Sequence, residues 1–451
     1  MKRYWQILRQ PQISTLLVIG MIARLPHSAL SMLLLLHLVT NLDQSWVSAG
    51  LVTALMTLGI AIGAPWRGAR VDAWGLRRAL IPSIFVETIV WCTVPHVSLE
   101  WVYPLAFIGG LFSLPVFSVV RTALGIMTTG DNRRTAFALD ATATELVFIV
   151  GPASAGIVAT QISSTIGLSV IGVTASVAGL ALMILNPPTR SDDPKAVALR
   201  ANVHEERLGA EASFIAAAPF GVAEVEGELI TAGWKSARAR IKSRGRAFKS
   251  RFNWISASVL AVFIAAGGAG ALLTGTEVGI VAELEAQSRS GDLGIVFLFW
   301  CGSSLIGGLV YGSMNRAISP LLLLLAMAVL TVPMYFATDT WSLALLSLAP
   351  GLLCAPTLSA ASEWLTDLVA ENRRGEAMGW YGSAMTTGTA LGSPLTGIFV
   401  DTLGPAQAFI GIGLLAVFIV VIALIAQQIR RRVRRTRRTR RTRRARMGGF
   451  V

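Results

Sequence analysis

The sequence is poor in charged residues, in cysteine and in histidine. Asp, Glu, Lys and Arg together make up 14% of the 451 residues, whereas a soluble globular chain contains about 25%. This shortage excludes a disordered chain, and it argues against an ordinary cytosolic enzyme. Three cysteines are too few for a disulfide framework, and four scattered histidines argue against a histidine-rich metal site. We therefore expect neither a cofactor nor a metal centre.

Hydrophobic residues are what the sequence has in excess. They make up 53% of the chain, and the mean hydropathy is +0.63. A helix needs about 20 mainly apolar residues to cross the bilayer core. Twelve segments meet this requirement, at 13–39, 45–66, 79–96, 101–122, 137–159, 165–186, 254–283, 293–314, 319–338, 341–363, 376–400 and 405–428. We predict an all-helical membrane protein with twelve transmembrane helices, the first of them an uncleaved span rather than a signal peptide.

The basic residues test this assignment independently. If the N-terminus is placed inside the cell, every Lys and Arg except Arg24 and Arg289 falls at the inner side of the membrane. Basic residues collect in the cytoplasmic loops of membrane proteins. Their distribution therefore predicts a multi-pass protein of the plasma membrane with both termini in the cytoplasm.

Most of the net charge of +14 lies in one segment near the C-terminus. Residues 430–446 contain 12 arginines and no acid. Arginines neutralise the phosphates of nucleic acid, but this run lacks interleaved aromatic residues and follows directly on the last span. A polybasic segment in that position is attracted to anionic lipid. We expect the tail to bind the inner leaflet and to fix the topology, and we disfavour a nucleic-acid partner.

Three short patterns occur twice, at separations of 240, 242 and 244 residues. The pairs are Asp131-Asn132-Arg133-Arg134 with Glu371-Asn372-Arg373-Arg374, Gly151-Pro152 with Ser393-Pro394, and Gly63 and Gly68 with Gly307 and Gly312. One such match could arise by chance, but three matches in register predict two six-helix halves in parallel orientation. Transporters are commonly built from such repeats, with the substrate site between the halves.

The repeat divides the chain into four predicted regions. These are an N-terminal half at 1–186, a cytoplasmic central segment at 187–253, a C-terminal half at 254–429 and the Arg-rich tail at 430–451. The end of the central segment is basic and has apolar residues at helical spacing. This pattern is typical of a helix lying on an anionic membrane surface. The alternative is a solvated linker whose acidic and basic parts pair loosely.

The segment between the second and third spans carries a recognisable motif. It reads Gly68-Ala-Arg70-Val-Asp72-Ala73-Trp-Gly75-Leu-Arg77-Arg78, which resembles the signature G-x-x-x-D-R-x-G-R-R of the major facilitator superfamily. The resemblance implies a twelve-helix transporter in which this segment, including Gly68, Asp72, Gly75, Arg77 and Arg78, forms an inner gate. The resemblance also implies that the charged residues of this segment clamp the inner ends of the helices together. Ala73 replaces the usual Arg, which weakens that clamp. The alternative is that these charges only fix the topology.

A second motif lies in the fifth span. Gly151-Pro152-Ala-Ser-Ala155-Gly156 resembles the G-P-x-x-G-G pattern of the antiporters in this superfamily, with Ala155 in place of a Gly. The resemblance implies export. The alternative is ordinary close packing of small residues around a proline bend.

Several ionisable residues fall inside the predicted spans, where an ionisable group is a functional candidate because its burial is costly. Arg24 lies near the middle of the first span, and it either binds an anionic group or pairs with an acid on another helix. Glu145 shares a helical stripe with Thr142 and is our first candidate for proton coupling or for a cationic substrate; the alternative is a protonated acid bonded to a neighbouring helix. Glu277 faces the cavity or sits at the outer interface.

Other polar residues are weaker candidates. His27 can share a face with Arg24, Asp140 is expected at the inner gate, and Glu87 is as readily a structural partner as a transport residue. Thr387 belongs to a run of hydroxyls in the eleventh span that either lines a polar path or bonds back to its own helix.

Together these patterns predict a secondary transporter that works by alternating access and couples proton flow to export of a small amphipathic molecule. An importer or uniporter of a metabolite is the alternative within this class, and a membrane scaffold or sensor is the alternative outside it. An enzyme is the least favoured class because we find no nucleophile–base set and no phosphate-binding loop.

Overall fold

The computed structural model describes residues 5, 7–128, 130–188, 256–313, 318–369 and 374–425. Nearly all of the predicted central segment and the whole Arg-rich tail lie outside these ranges, so the predictions made for them stay predictions.

The described ranges of the first half contain seven helices of twelve or more residues. They are α1 (Pro11–Leu36, continued by a π-helical turn at His37–Asn41), α2 (Trp46–Trp74), α3 (Leu76–Thr93), α4 (Leu99–Leu111), α5 (Val116–Met127), α6 (Gly130–Gln161) and α7 (Ser164–Leu185). The described ranges of the second half contain six such helices. They are α8 (Ala257–Ala286), α9 (Leu293–Ser313), α10 (Pro320–Thr331), α11 (Thr340–Leu368), α12 (Arg374–Leu403) and α13 (Pro405–Ile425).

The helices account for the predicted membrane spans. Within the described ranges, nine of them are long and apolar enough to cross a membrane, and α4 and α10 are shorter apolar helices. The remaining predicted span is α12, whose sequence is rich in Gly, Ser and Thr. The described part of the chain contains no strand. An all-helical membrane protein is therefore confirmed, and the helix order is consistent with twelve passes.

The fourth pass is broken, so the prediction of one continuous helix over 101–122 is wrong. It forms α4 and α5, which are joined by the non-helical residues 112–115. Pro115 has no N–H to donate to the preceding turn. The carbonyls of Gly110 and Leu111, at the end of α4, accept hydrogen bonds from Arg67 Nη1 at 3.0 and 2.8 Å. The buried Arg67 on α2 thus satisfies the carbonyl of Leu111, to which Pro115 cannot donate, and adds a second donor to the carbonyl of Gly110.

The gate motif contains much less loop than the sequence predicts. Gly68 and Asp72 lie in the backbone of α2, and Arg77 and Arg78 lie in α3. Only Gly75 separates the two helices, with φ at +80°. Glycine adopts this angle without a steric penalty, which is why the chain reverses at one residue.

Glycine contacts repeat between the two halves. Gly63 on α2 packs against the carbonyl of Leu111 on α4, and Gly307 on α9 packs against the carbonyl of Leu352 on α11. In both places an added Cβ would overlap the carbonyl. The two glycines that the sequence repeat pairs therefore make the same kind of helix contact, which supports the predicted two-half architecture.

In the described ranges, the most extensive contacts between the halves are made by two pairs of helices, α2 with α12 and α6 with α9. Gly50 on α2 lies against the backbone of Ser393 and Pro394 on α12, and Gly156 on α6 lies against the carbonyl of Ser290, just before α9. The largest apolar cluster also includes residues from both halves. A single core therefore runs across the boundary between them.

Candidate functional site

A cavity lies between the two halves. Its described lining residues come from α1, α2, α3, α4, α5 and α6 of the first half, and from α8 and α12 of the second. Ser113, in the break of the fourth pass, and Gly110, at the end of α4, both line it. The break thus faces the space where a substrate would lie.

Glu277 lines this cavity, which is one of the two locations that the sequence analysis gave for it. Its side chain is 8% exposed, and Ser31 Oγ lies 3.4 Å from Glu277 Oε1. Ser31 belongs to α1 of the first half, and Glu277 belongs to α8 of the second. This contact therefore joins the halves at the cavity wall.

His27 and Glu87 form a second polar pair in the same cavity. His27 Nε2 lies 3.0 Å from Glu87 Oε1, and the carboxyl group is almost fully buried. The second oxygen, Glu87 Oε2, has no hydrogen-bond partner among the described residues, and neither has the indole N–H of Trp91 one turn further along α3. Both residues line the cavity. The sequence left Glu87 open between structural and transport roles, and its position makes it a cavity residue.

Arg24 makes the ion pair that the sequence offered as one alternative. Its Nη1 lies 2.7 Å from Asp140 Oδ1 and 3.1 Å from Thr144 Oγ1. Its guanidinium carbon lies 4.7 Å from the ring centre of Phe117. Phe117 lines the cavity, whereas Arg24 does not. Arg24 and His27 thus have different acidic partners, and a substrate-binding role for Arg24 stays a prediction.

Glu145 lies between the halves, away from the cavity lining. It is 5% exposed, and its carboxyl group interacts with the thiol of Cys301 on α9. Its Oε2 has no hydrogen-bond partner among the described residues. Thr142, predicted on the same stripe, is exposed. The exposed Thr387 donates a hydrogen bond of 2.7 Å to the carbonyl of Ser383 in its own helix, which is the second of the alternatives given for it.

The Gly-Pro segment of α6 packs tightly on both sides. Gly151 lies against the side chain of Ser28 on α1, whose hydroxyl donates to the carbonyl of Val147 at 3.2 Å. Pro152 and Gly156 are buried, and Gly156 contacts the second half at Ser290. The segment therefore touches both a cavity helix and the opposite half. Its predicted link to export stays a prediction.

The described part of the gate motif contacts its own half. Arg77 Nε donates to the carbonyl of Met183 at 3.0 Å, at the end of α7. Arg78 is exposed, and the side chain of Asp72 lies outside the described set. The inner-gate role of these residues stays a prediction.

Asp401, which the sequence analysis did not single out, also bridges the halves. The carboxyl group of Asp401 on α12 accepts hydrogen bonds from the backbone N–H groups of Trp46 at 2.9 Å and Val47 at 2.8 Å. These are the first two residues of α2, so an acid of one half caps a helix of the other. An Asp near the end of a helix is a weak signal, because its partner lies in a distant part of the chain.

No group of three or more His, Cys, Asp or Glu side chains in the described ranges is arranged to hold a metal ion. The polar groups of the cavity are carboxyl, hydroxyl, imidazole and indole groups. The site is suited to binding a small molecule by hydrogen bonds and charge.

Comparison with known proteins agrees with this architecture. The family model of the Major Facilitator Superfamily matches residues 16–348 and 303–449. A mutant of the nucleoside transporter NupG is similar in structure, with a TM-score of 0.65 at 13% identity, over 92% of this chain and 98% of that one. The human organic anion transporter MFSD10 (TETRAN) has a TM-score of 0.54 at 15% identity, over 91% of this chain and 99% of that one. At these identities the similarity shows the fold alone.

A search of curated protein sequences gives no match. The family model nevertheless covers most of the chain, and the helix order, the glycine contacts of the two halves and the cavity between them agree with it. The chain belongs to the major facilitator superfamily of membrane transporters.

Proposed function

We propose that this chain is a proton-coupled antiporter that exports a small amphipathic molecule by alternating access. The main support is the cavity between the halves, which combines the carboxyl groups of Glu87 and Glu277 with aromatic walls. A site shared by two halves opens to one side of the membrane at a time when the halves rock against each other.

In this proposal the transported proton binds Glu145. Its carboxyl group is buried where α6 faces α9 of the opposite half. Loss of the proton places a charge in that contact, and a buried charge without a partner is costly. Protonation of Glu145 therefore favours the arrangement of the halves in which this contact is closed, and deprotonation favours the arrangement in which it is open to water.

The direction and the orientation rest on sequence patterns. The Gly151-Pro152 segment resembles the antiporter motif, which motivates export, and the contact of Gly156 with Ser290 of the opposite half supports a position at the boundary between the halves. The distribution of Lys and Arg motivates a plasma-membrane location with both termini in the cytoplasm, next to anionic lipid.

The first test is a toxicity panel on cells that overproduce the protein, compared with cells that carry an empty vector. We expect higher tolerance of a set of amphipathic compounds. Higher sensitivity to a metabolite analogue would instead mean import and would overturn the proposed direction. The scaffold alternative would be favoured by a particular result with a variant that lacks the central segment and the tail. Cells with this variant would tolerate the compounds as well as cells with the full-length protein, but another cellular function of the protein would be lost.

The second test measures the flux of a compound identified by the toxicity panel, in proteoliposomes under an imposed pH gradient. We expect Glu145→Gln to abolish the response of flux to the gradient while exchange of substrate for substrate continues. Glu283→Gln is the matched control, because Glu283 is also a buried acid but accepts a hydrogen bond of 2.8 Å from Gln287, the residue that follows its helix. Wild-type gradient dependence in Glu145→Gln would contradict the coupling role.

A further inference from the structure

We infer that the substrate is a small organic cation held by Glu87 and Glu277 against aromatic side chains. The inference rests on the proposed transport function and adds the chemical class of the substrate. It follows from the charge of the cavity, from its unpaired polar atoms and from its walls.

The cavity has more acidic than basic groups. Its described lining contains the two carboxyl groups of Glu87 and Glu277, one imidazole, that of His27, and no Lys or Arg. His27 contacts one oxygen of Glu87, whereas the contact of Glu277 at the cavity is the hydroxyl of Ser31. A cationic ligand would stabilise the ionised form of Glu277, whereas an anionic ligand would oppose it.

The nearest buried guanidinium does not change this balance. Arg24 is bound to Asp140 at 2.7 Å, so its charge is matched within the first half. It lies beside the ring of Phe117, and Phe117 rather than Arg24 lines the cavity. The charge of Arg24 is therefore not available to bind an anionic substrate.

Two buried polar atoms of the cavity helix α3 lack partners among the described residues. Glu87 Oε2 accepts hydrogen bonds, and Trp91 Nε1 donates one. Glu87 and Trp91 are 1% exposed. Buried polar groups normally have partners, so a ligand that donates to Glu87 and accepts from Trp91 would complete both. A protonated amine that also carries an ether or hydroxyl oxygen has both functions.

The walls of the cavity favour a cation as well. Trp91, Phe117 and Phe148 line it, and the rings of Phe117 and Phe148 stack with their centres 6.3 Å apart. The face of an aromatic ring attracts a cation, most strongly for Trp. Carboxyl groups combined with aromatic faces recognise an organic cation, whereas a metal ion would require several oxygen ligands and gains little from aromatic walls.

The test is equilibrium binding to the purified full-length protein, with three small aromatic probes of different charge. The probes are benzylamine, which is protonated at neutral pH and can donate to Glu87, benzyl alcohol and benzoate. We expect the cation to bind best and benzoate to bind worst. We expect Glu277→Gln to weaken cation binding at least about tenfold, Glu277→Asp to retain part of it because the charge remains, and Glu283→Gln to leave it unchanged.

Trp91→Phe tests the indole N–H separately from the ring face. 2-Phenoxyethylamine carries an ether oxygen that can accept from the indole, and benzylamine does not. We expect Trp91→Phe to weaken binding of 2-phenoxyethylamine more than binding of benzylamine. An equal effect on the two probes would remove the indole N–H from the site.

The outcomes separate this inference from the proposed function. Preferred binding of benzoate would overturn the substrate class. So would the result that Glu277→Gln and Glu87→Gln both melt like wild type and neither weakens binding of the cation. If the cation binds as expected but no flux is seen in proteoliposomes, the substrate class stands and the transport proposal fails. If flux of benzoate follows a pH gradient, transport stands and the cation inference fails.

Discussion

Arg24 on α1 and Asp140 on α6 form a buried ion pair, although 116 residues separate them in the sequence. The two atoms in contact, Nη1 and Oδ1, lie 2.7 Å apart, and the side chains are 1% and 0% exposed. Thr144, one turn after Asp140, also accepts from the same nitrogen. The pair therefore fixes the first helix of this half against the fifth pass.

We expect loss of either member of this pair to destabilise the protein. Arg24→Met leaves a buried carboxylate without its partner, and Asp140→Leu leaves a buried guanidinium, each at a cost of about 3–5 kcal/mol. The double variant should be more stable than either single variant, because it leaves neither charge alone. Thermal unfolding of the purified protein measures this. Single variants with wild-type stability but weaker substrate binding would instead assign Arg24 to the substrate.

We expect Gly63 and Gly307, the glycines at the paired helix contacts, to tolerate substitution by alanine less well than a glycine with free space around it. Gly307→Ala places a methyl group on the carbonyl of Leu352 and should destabilise the protein by about 1–3 kcal/mol. Gly302→Ala, on the same helix, is the control, because nothing lies within 4 Å of the position that its Cβ would take. Gly63→Ala should behave like Gly307→Ala. Equal melting temperatures for Gly302→Ala and Gly307→Ala would contradict this packing.

We expect Asp401 to hold α2 and α12 together at the end that carries Trp46. Asp401→Ala removes the acceptor for two backbone N–H groups of the opposite half, so it should favour conformations in which the two helices are apart. Spin labels at Asp43 and Leu403, in a background without the native cysteines, measure this separation. The population with the longer distance should increase in Asp401→Ala.

Asp339 provides the control for this experiment. It also caps a helix, accepting from the N–H of Ser342 at 2.8 Å, but this helix, α11, belongs to its own half. The hydrogen bonds from Ser342 hold the pKa of the Asp339 carboxyl below its usual value, so it is ionised at neutral pH. Asp339→Ala should lower the melting temperature slightly and leave the label distance unchanged. A change of the same size in both variants would show that Asp401 acts only as an ordinary cap.

The sequence predicts the helices well, because a run of about 20 apolar residues has few alternatives in a membrane. It also predicts that Glu145 lies at membrane depth, since it falls within such a run, whereas it left Glu277 open between the cavity and the outer interface. The sequence repeat pairs Gly63 with Gly307. Both positions lie against a backbone carbonyl that leaves room only for glycine, so the same residue recurs in both halves. These features depend on local composition or on the repeat.

The partners of the buried polar side chains could not be predicted, because they depend on how distant helices pack. Hydropathy does not show that Arg24 meets Asp140 or that Glu87 meets His27. The broken fourth pass could not be predicted from Pro115, since Pro104 and Pro152 lie inside helices. The carbonyls at the break are contacted by Arg67, a residue of another helix, which the local sequence does not show.

The broken pass has a mechanical consequence for the cavity. The backbone hydrogen bonds on the two sides of the break are separate. Ser113 N–H donates to the carbonyl of Gly110 in α4, and Val116 N–H, at the start of α5, donates to the carbonyl of Leu114. The two helices are therefore not one rigid rod. Ser113 lies in this joint and on the cavity wall. A ligand that reaches Ser113 would therefore contact the joint between the two helices as well as the cavity wall.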